Sequence, residues 1–262
     1  TNRQLGALGV FKFVRIKTEV NREHPQLLDV IIELSQAPRF EMGFDFELNY
    51  TNRSNAAGSG NLIGLSASPS MRHRNLFKGA ELLIGNLSGG VEVNPDPKAR
   101  FWNTIDLRAQ GDLYFPHFRD YLGLWHLNDL LPIYRKRKAA GIAFYDQLQE
   151  YATTRLTTSY NYVLLLDFYR YTLANFSYGY ELQRGGRRYL ITQAAIDFLR
   201  PDFYQQGQAL REANPFFANS FGNQLFLSLL FREFNYTYNS RKNRKGESSY
   251  FSLNAETAGA ET

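Results

Sequence analysis

Residues 39–52, RFEMGFDFELNYTN, alternate between apolar and polar or small side chains without interruption. The apolar positions are Phe40, Met42, Phe44, Phe46, Leu48 and Tyr50, and the others are Glu41, Gly43, Asp45, Glu47, Asn49 and Thr51. Strict period-two alternation predicts a β-strand with one apolar and one polar face. Two settings suit such a strand: a soluble sheet over a core, or a membrane barrel whose apolar face meets lipid and whose polar face meets a wet lumen.

The composition narrows the choice between a soluble sheet and a membrane barrel without settling it. The 262 residues include 17 Tyr, 21 Phe and 2 Trp, and barrels concentrate such side chains at the two membrane interfaces. No apolar run approaches the ~20 residues of a spanning helix, so this chain would cross a membrane as strands. Cysteine is absent, which excludes disulfides and Cys-ligated metals. The net charge of +5 is spread along the chain and predicts no nucleic-acid partner.

The chain is predicted to contain two domains that meet at Pro38. Residues 1–20 are expected to hold the end of a helix, a break at Gly9 and a strand. Residues 27–38 are apolar enough for a strand buried on both faces of a small α+β module. About nine alternating strands are predicted in residues 39–262. They cover residues 39–50, 62–77, 81–93, 104–118, 155–163, 172–182, 189–199, 223–239 and 249–259.

The strand over residues 104–118 shows the two faces most clearly. Its outward side chains are predicted to be Ile105, Leu107, Ala109, Leu113 and Phe115, and its lumen-facing ones Asp106, Arg108, Gln110 and Asp112. Charges of both signs on an inner wall can pair across strands. In residues 172–182 the outward side chains are predicted to be Ala174, Phe176, Tyr178, Tyr180 and Leu182.

The connections between strands are predicted to differ in kind. Residues 51–61 are expected to form a flexible loop, and residues 78–81 a tight turn at Gly79. Residues 119–152 contain helical spacing and are predicted to form a mostly helical insertion. Residues 201–222 are predicted to be a long aromatic loop.

No catalytic motif is present, and the protein is predicted not to be an enzyme. The four histidines, His24, His73, His117 and His126, share no metal-ligand spacing, and the sequence has no nucleophile elbow or phosphate loop. Asp45 and Glu47 share a strand face and could act as an acid and a base, but we interpret them as residues that line a lumen. No metal and no cofactor are expected.

Several segments carry a resemblance to a known family. LGALGVFKFVRI (5–16) followed by LLDVIIELSQAP (27–38) resembles the end of a POTRA domain, an α+β periplasmic repeat. MRHRNLFKGAELLIG (71–85) resembles the strand, turn and strand that follow the first barrel strand in the BamA/TamA superfamily of outer-membrane insertases. FREFNYTYN (231–239) with SYFSLNAETAGA (249–260) resembles the TamL-like branch of that superfamily. The family's Val-Arg-Gly-Phe/Tyr motif, found late in its barrel, does not occur.

The resemblance implies a mostly β fold: a transmembrane antiparallel β-barrel preceded by the end of a POTRA domain. Residues 1–38 would be the C-terminal part of the POTRA domain, and residues 39–262 the N-terminal part of a sixteen-stranded barrel. Only 224 residues follow Pro38, enough for roughly nine strands at about 10 residues each plus connections. The remaining strands are expected beyond Thr262 or in a partner chain.

The resemblance also implies a function and a location. The protein would be an outer-membrane assembly factor of a diderm bacterium, with its POTRA part in the periplasm. Its clients would be outer-membrane proteins, and its partners membrane lipids and periplasmic or lipoprotein assembly subunits. The first barrel strand would form one side of a lateral gate, at which client strands are templated. The gate residues would be Phe40, Glu41, Met42, Phe44, Asp45, Phe46, Glu47, Leu48 and Asn49.

Two other interpretations stay open from the sequence. A passive outer-membrane channel, or a TamA-like translocation pore, would show the same alternation, with Asp106, Arg108 and Asp112 tuning selectivity. A POTRA module that leads directly into the first strand speaks against a porin. A soluble β-sandwich would instead bury the aromatic face against a second sheet.

Overall fold

The structure is a computed structural model, and it describes most of the chain. The described residues are 9–22, 24, 26–55, 58–97, 101–121, 123, 125, 144–213, 222–229, 231–240 and 246–257.

The N-terminal part is a two-stranded antiparallel hairpin. Strand β1 (Phe11–Val20) pairs with β2 (Leu28–Gln36). Directly opposed pairs such as Val14 with Leu34 and Ile16 with Ile32 form an apolar face, while the other face carries the Lys17–Glu33 ion pair.

The prediction that residues 27–38 are buried on both faces is wrong for the described residues. Every residue of β2 is exposed, because in the described residues β2 pairs only with β1 and the hairpin forms a sheet of its own. The helix end expected before Gly9 lies outside the described residues, and the POTRA arrangement stays a prediction.

The remaining strands form one ten-stranded antiparallel sheet. Its strands are β3 (Phe40–Asn55), β4 (Gly58–Arg74), β5 (Leu82–Val93), β6 (Trp102–Phe115), β7 (Ala152–Leu165), β8 (Tyr169–Arg184), β9 (Arg187–Phe203), β10 (Gln224–Ser228), β11 (Glu233–Asn239) and β12 (Tyr250–Glu256). From β3 to β9 each strand pairs with the next one in the sequence. The predicted antiparallel, mostly β character is thus confirmed.

The last part of the sheet contains one interrupted strand position. Strand β10 pairs with residues 195–199 of β9, and β11 pairs with residues 187–192 of the same strand. Together they occupy the single position predicted for residues 223–239, and β12 follows beside β11. The sheet is open in the described residues, where β3 pairs only with β4 and β12 only with β11.

The register gives the sheet one apolar and one polar face. Residues directly opposite each other lie on the same face. One apolar row therefore crosses five strands, through Leu48, Leu65, Val91, Ile105 and Leu164. A polar row crosses seven strands, through Gly43, Ser70, Asn86, Gln110, Ser159, Asn175 and Asp197.

Two predicted loops are mostly regular structure. The flexible loop expected at residues 51–61 is a hairpin, in which β3 and β4 stay paired out to Asn55 and Gly58. Cross-strand backbone hydrogen bonds extend this hairpin beyond the point where its apolar alternation ends. The long loop expected at residues 201–222 begins with the end of β9, followed by helix α2 (Gln205–Ala213).

The segment between β6 and β7, residues 116–151, includes most of the predicted helical segment and is called the insertion from here on; its described residues pack on the apolar face of the sheet. Its described helix is short, α1 (Phe144–Tyr151), and residues 126–143 lie outside the described part. Leu148 of α1 is fully buried with Tyr178, Tyr180 and Leu182 of β8. Those three side chains were predicted to face lipid. They do lie on the apolar face, but protein covers them, because the insertion folds back over this end of the sheet.

Polar groups fix the insertion to the sheet. The Arg119 amide donates to Thr154 Oγ1 at 2.8 Å, and that hydroxyl donates to the His117 carbonyl at 3.0 Å. A bulge in β9 leaves Gln193 unpaired with β8, and its Oε1 accepts a bond from Trp125 Nε1 at 3.3 Å. Thr154 and Gln193 are buried, and the side chain of each has a hydrogen-bond partner in the insertion.

Candidate functional site: the free edge and the polar face

Among the described residues, β3 is an edge strand of 16 residues. The alternation predicted from Phe40 to Tyr50 is retained in its pairing with β4. The apolar side chains are exposed: Met42 by 76%, Phe44 by 68% and Leu48 by 67%. An exposed apolar edge of this length is an aggregation hazard in water.

The polar residues of β3 lie opposite small residues of β4. Asp45 lies opposite Ser68, Glu47 opposite Ser66 and Asn49 opposite Gly64. The Asn49 side chain lies over Gly64, where an added Cβ would meet Asn49 Oδ1 at 2.1 Å. Asp45 and Glu47 are exposed, so the polar face beside the free edge is open and acidic.

The start of β3 is held by two arginines of β4. Arg72 Nη1 lies 3.6 Å from Glu41 Oε2, and Arg74 makes the closer contacts. Arg74 Nη1 lies 2.8 Å from Glu41 Oε1 and donates to the Pro38 carbonyl at 3.0 Å. The backbone amide of Arg74 also donates to the Arg39 carbonyl at 2.7 Å. These contacts fix the point at which the chain leaves the N-terminal hairpin and enters the large sheet.

The turn between β4 and β5 is organised around Glu81. Its Oε2 accepts bonds from the backbone amides of Phe77 at 3.1 Å and Gly79 at 3.0 Å. Burial raises the pKa of this carboxyl, but the backbone hydrogen bonds outweigh burial and hold its pKa below the usual range. The turn also contains three non-glycine residues with positive φ, namely Asn75, Lys78 and Ala80. The tight turn predicted at residues 78–81 therefore extends back to Asn75.

The predicted lumen-facing residues of β6 form hydrogen-bonded pairs. Asp106 and Arg108 pair along the strand, with Nη2 2.8 Å from Oδ2, and this pair is solvent-exposed. Asp112 is buried, at 5% exposure. Its Oδ2 accepts a bond from Gln110 Nε2 at 2.8 Å. The register puts all four residues on one face of the sheet, and the lumen on that side stays a prediction.

The partners of Asp112 on β7 were not singled out from the sequence. Arg155 Nη2 lies 2.8 Å from Asp112 Oδ1, and Thr157 Oγ1 donates to the same oxygen at 2.6 Å. The Arg155 guanidinium lies 5.6 Å from the centre of the Tyr114 ring. The pairing register between β6 and β7 brings both residues to Asp112, since Thr157 lies directly opposite Asp112 and Arg155 opposite Tyr114.

A second ionic cluster spans the interrupted strand. Arg232, in the gap between β10 and β11, lies 3.4 Å from Asp197 Oδ2 and 3.1 Å from Glu256 Oε1. Its Nη1 donates to the Thr257 carbonyl at 3.0 Å. The interruption between β10 and β11 therefore places the Arg232 cation on the polar face, where it forms ion pairs with residues of β9 and β12.

No family model matches the chain, and no curated protein matches it significantly.

Neither helix in the described part of the chain is long and apolar enough to cross a membrane. In the same residues, no group of His, Asp and Glu side chains is arranged to hold a metal ion.

Proposed function

We propose that this chain forms the first part of the wall of an outer-membrane β-barrel and that the barrel assembles client outer-membrane proteins. The free edge of β3 is the observation that carries the proposal. That strand is long, amphipathic and paired on one side only within the described residues. In this proposal β3 is one side of a lateral gate.

The mechanism follows from backbone hydrogen bonding in lipid. A strand edge presents unpaired N–H and C=O groups, each of which costs several kcal/mol in a hydrocarbon environment. A client strand that pairs with β3 satisfies those groups on both chains, as in β-augmentation. Strand pairing and burial of the client's apolar face in lipid supply the free energy, so nucleotide hydrolysis is not required.

The apolar face supports a lipid setting. Leu107, Tyr160, Phe176 and Phe198 lie on four successive strands of this face and are 43–48% exposed. Within the described residues, the insertion covers this face at the end of β7 and β8, and no second sheet packs on it. A soluble β-sandwich would need such a second sheet. A protein with that fold would also stay in solution without detergent.

A disulfide across the gate tests the proposal. Glu47→Cys would be paired with a cysteine at the facing position of the strand that closes the barrel. Oxidation should abolish the insertion of new clients, because β3 can no longer pair with them, and reduction should restore it. Normal client assembly with the crosslink complete would refute templating at β3.

A passive channel or a translocation pore is the second candidate, and the charged polar face favours it. The exposed pair Asp106–Arg108 and the network around Asp112 lie where a lumen lining would lie. In that case the disulfide would leave client assembly unchanged, while Arg108→Glu would shift ion selectivity in planar bilayers.

A further inference from the structure

Two arginines face each other across the turn between β8 and β9. Arg184 lies directly opposite Arg187 in the strand pairing, which places their Cβ atoms about 4.5–5.5 Å apart. Both residues are exposed. Like charges directly opposite each other destabilise an antiparallel pair, so an anion held between the two guanidinium groups would stabilise this turn.

Backbone contacts fix the turn that joins the two arginines. Gly185 has a φ of 63°. Gly186 lies so close to β11 that an added Cβ would be 2.0 Å from the Asn239 carbonyl oxygen. The Asn239 amide also donates to the Gly186 carbonyl at 2.7 Å. The fold therefore sets the spacing of the two arginines before any ligand binds.

Both arginines extend from the apolar face of the sheet. Side chains alternate along a strand, and Arg184 follows by two positions Leu182, which is buried on that face under the insertion. The Arg184 guanidinium lies 5.1 Å from the centre of the Tyr151 ring, which belongs to α1 of the insertion. Arg187 lies on the same face because it is directly opposite Arg184. The two cations therefore stand at the rim of the face that the proposed function turns towards lipid.

Neither of these guanidinium groups forms an ion pair within the described part of the chain. The neighbouring Arg188 lies on the polar face, where its Nε is 2.8 Å from Glu181 Oε1. At the other end of β8 and β9, on the apolar face, Arg170 lies directly opposite Asp202, with Nε 3.0 Å from Oδ2. The two strands thus pair a cation with an anion at one rim and leave two cations together at the other.

Tyrosine side chains set the depth of this rim. Tyr189 lies on the same face two residues after Arg187, and the centre of its ring is 4.9 Å from that of Tyr236. Tyr238 of β11 lies directly opposite Arg187. Tyrosine rings concentrate at membrane interfaces, and two residues of a strand span about 7 Å. The arginine pair therefore lies at the level of the lipid headgroups.

We infer that Arg184 and Arg187 together bind one phosphate group, supplied by an anionic glycerophospholipid of the leaflet at this rim. Each guanidinium can donate two parallel hydrogen bonds to a phosphate, and the net charge of an anionic headgroup offsets the two facing cations. This inference rests on the proposed membrane location and adds a specific lipid site to it. A lipid bound there lies beside the insertion, because Arg184 also contacts Tyr151.

Native mass spectrometry of the complete protein tests the site. Protein in detergent micelles would be titrated with phosphatidylglycerol and, separately, with phosphatidylcholine, and the lipids bound would be counted at each concentration. The first phosphatidylglycerol should bind more tightly than the first phosphatidylcholine, because two unpaired cations favour a headgroup with a net negative charge.

Arg187→Gln removes a cation that has no hydrogen bond, ion pair or ring contact among the described residues, so the fold should be unaffected. It should weaken the binding of the first phosphatidylglycerol by about tenfold, the size expected for one hydrogen bond to a charged group. Arg184→Gln should have a similar effect. Arg188→Gln, in the same turn but on the polar face, and Arg170→Gln, at the other rim, are matched controls that should leave binding unchanged.

Four results would overturn the inference. Equal affinity for the two lipids would refute a preference for an anionic headgroup, and unchanged binding in Arg187→Gln would exclude the arginine pair as the site. Equal weakening in all four variants would mean that only overall charge attracts the lipid. Displacement of the lipid by an equal concentration of inorganic phosphate would assign the pair to a soluble phosphate.

In each of these cases the proposed membrane location would survive. A protein that stays in solution without detergent and binds neither lipid would refute both proposals.

Discussion

Phe176 and Asn175 offer a matched test of which face meets lipid. They are neighbours near the middle of β8, at the same depth but on opposite faces. Phe176 lies between Thr158 and Ile196 and is 48% exposed, while Asn175 Nδ2 donates to Asp197. In a lipid-facing position, Phe176→Arg places a charge near the bilayer midplane, which costs about 2–4 kcal/mol. It also loses the lipid contact of the exposed half of the ring, worth about 1 kcal/mol. We therefore expect a destabilisation of about 3–5 kcal/mol.

Asn175→Arg should change stability by less than about 1 kcal/mol, because an arginine at this position can still donate to Asp197 in a wet lumen. Urea unfolding of the complete protein in lipid vesicles, followed by the shift in electrophoretic mobility, would give both values from the change in midpoint. If the apolar face met water, Phe176→Arg would be nearly neutral, within about 0.5 kcal/mol. Equal effects of the two variants, or a larger effect of Asn175→Arg, would refute the assignment of the faces.

Three further predictions concern the polar face, the turn and the insertion. Asp112→Ala leaves its half-buried arginine partner uncompensated and should cost about 2–3 kcal/mol, whereas Asp106→Ala breaks an exposed pair and should cost less than about 1 kcal/mol in the same unfolding assay. Because the pKa of Glu81 is lower in the folded than in the unfolded protein, its contribution to the free energy of unfolding is fully present above the unfolded pKa and is lost as the pH falls through the folded pKa. Glu81→Gln should remove this part of the loss of stability at low pH, and an unchanged dependence of stability on acid pH would contradict the prediction. Gly179→Ala adds a Cβ 2.1 Å from a backbone oxygen of β9 and should disrupt the bulge at Gln193, on which the insertion packs. Limited proteolysis should then cleave faster within residues 116–151, whereas Gly111→Ala should leave the cleavage rate unchanged.

The alternation of apolar and polar side chains predicted the main sheet well, because each strand from β3 to β9 carries its own period-two signal. Strand β6 is the clearest case, with all four predicted polar residues on one face. Strand ends were less predictable, since the hairpin of β3 and β4 continues through residues 51–55 by backbone pairing, after the apolar pattern has stopped.

Contacts between distant segments were not predictable from local patterns. Tyr178 and Tyr180 alternate as lipid-facing residues would, and nothing in β8 itself indicates that the insertion covers them. The bulge at Gln193 and the gap that holds Arg232 each shift the register locally, which a continuous pattern does not reveal. The partners of Asp112 depend on the register between β6 and β7, although the residue types on each strand were evident.

Direct pairing between β3 and a client is the most immediate test of the proposed function. A cysteine at Glu47, or separately at Asp45, would be combined with single cysteines along the last strand of a client stalled during assembly, and disulfide formation would be measured in intact membranes. Antiparallel or parallel pairing predicts that moving the β3 cysteine by two residues moves the best client position by two residues as well. Strong crosslinks with this fixed register would support templating at β3. Absence of crosslinks, or crosslinks spread over all client positions, would contradict it.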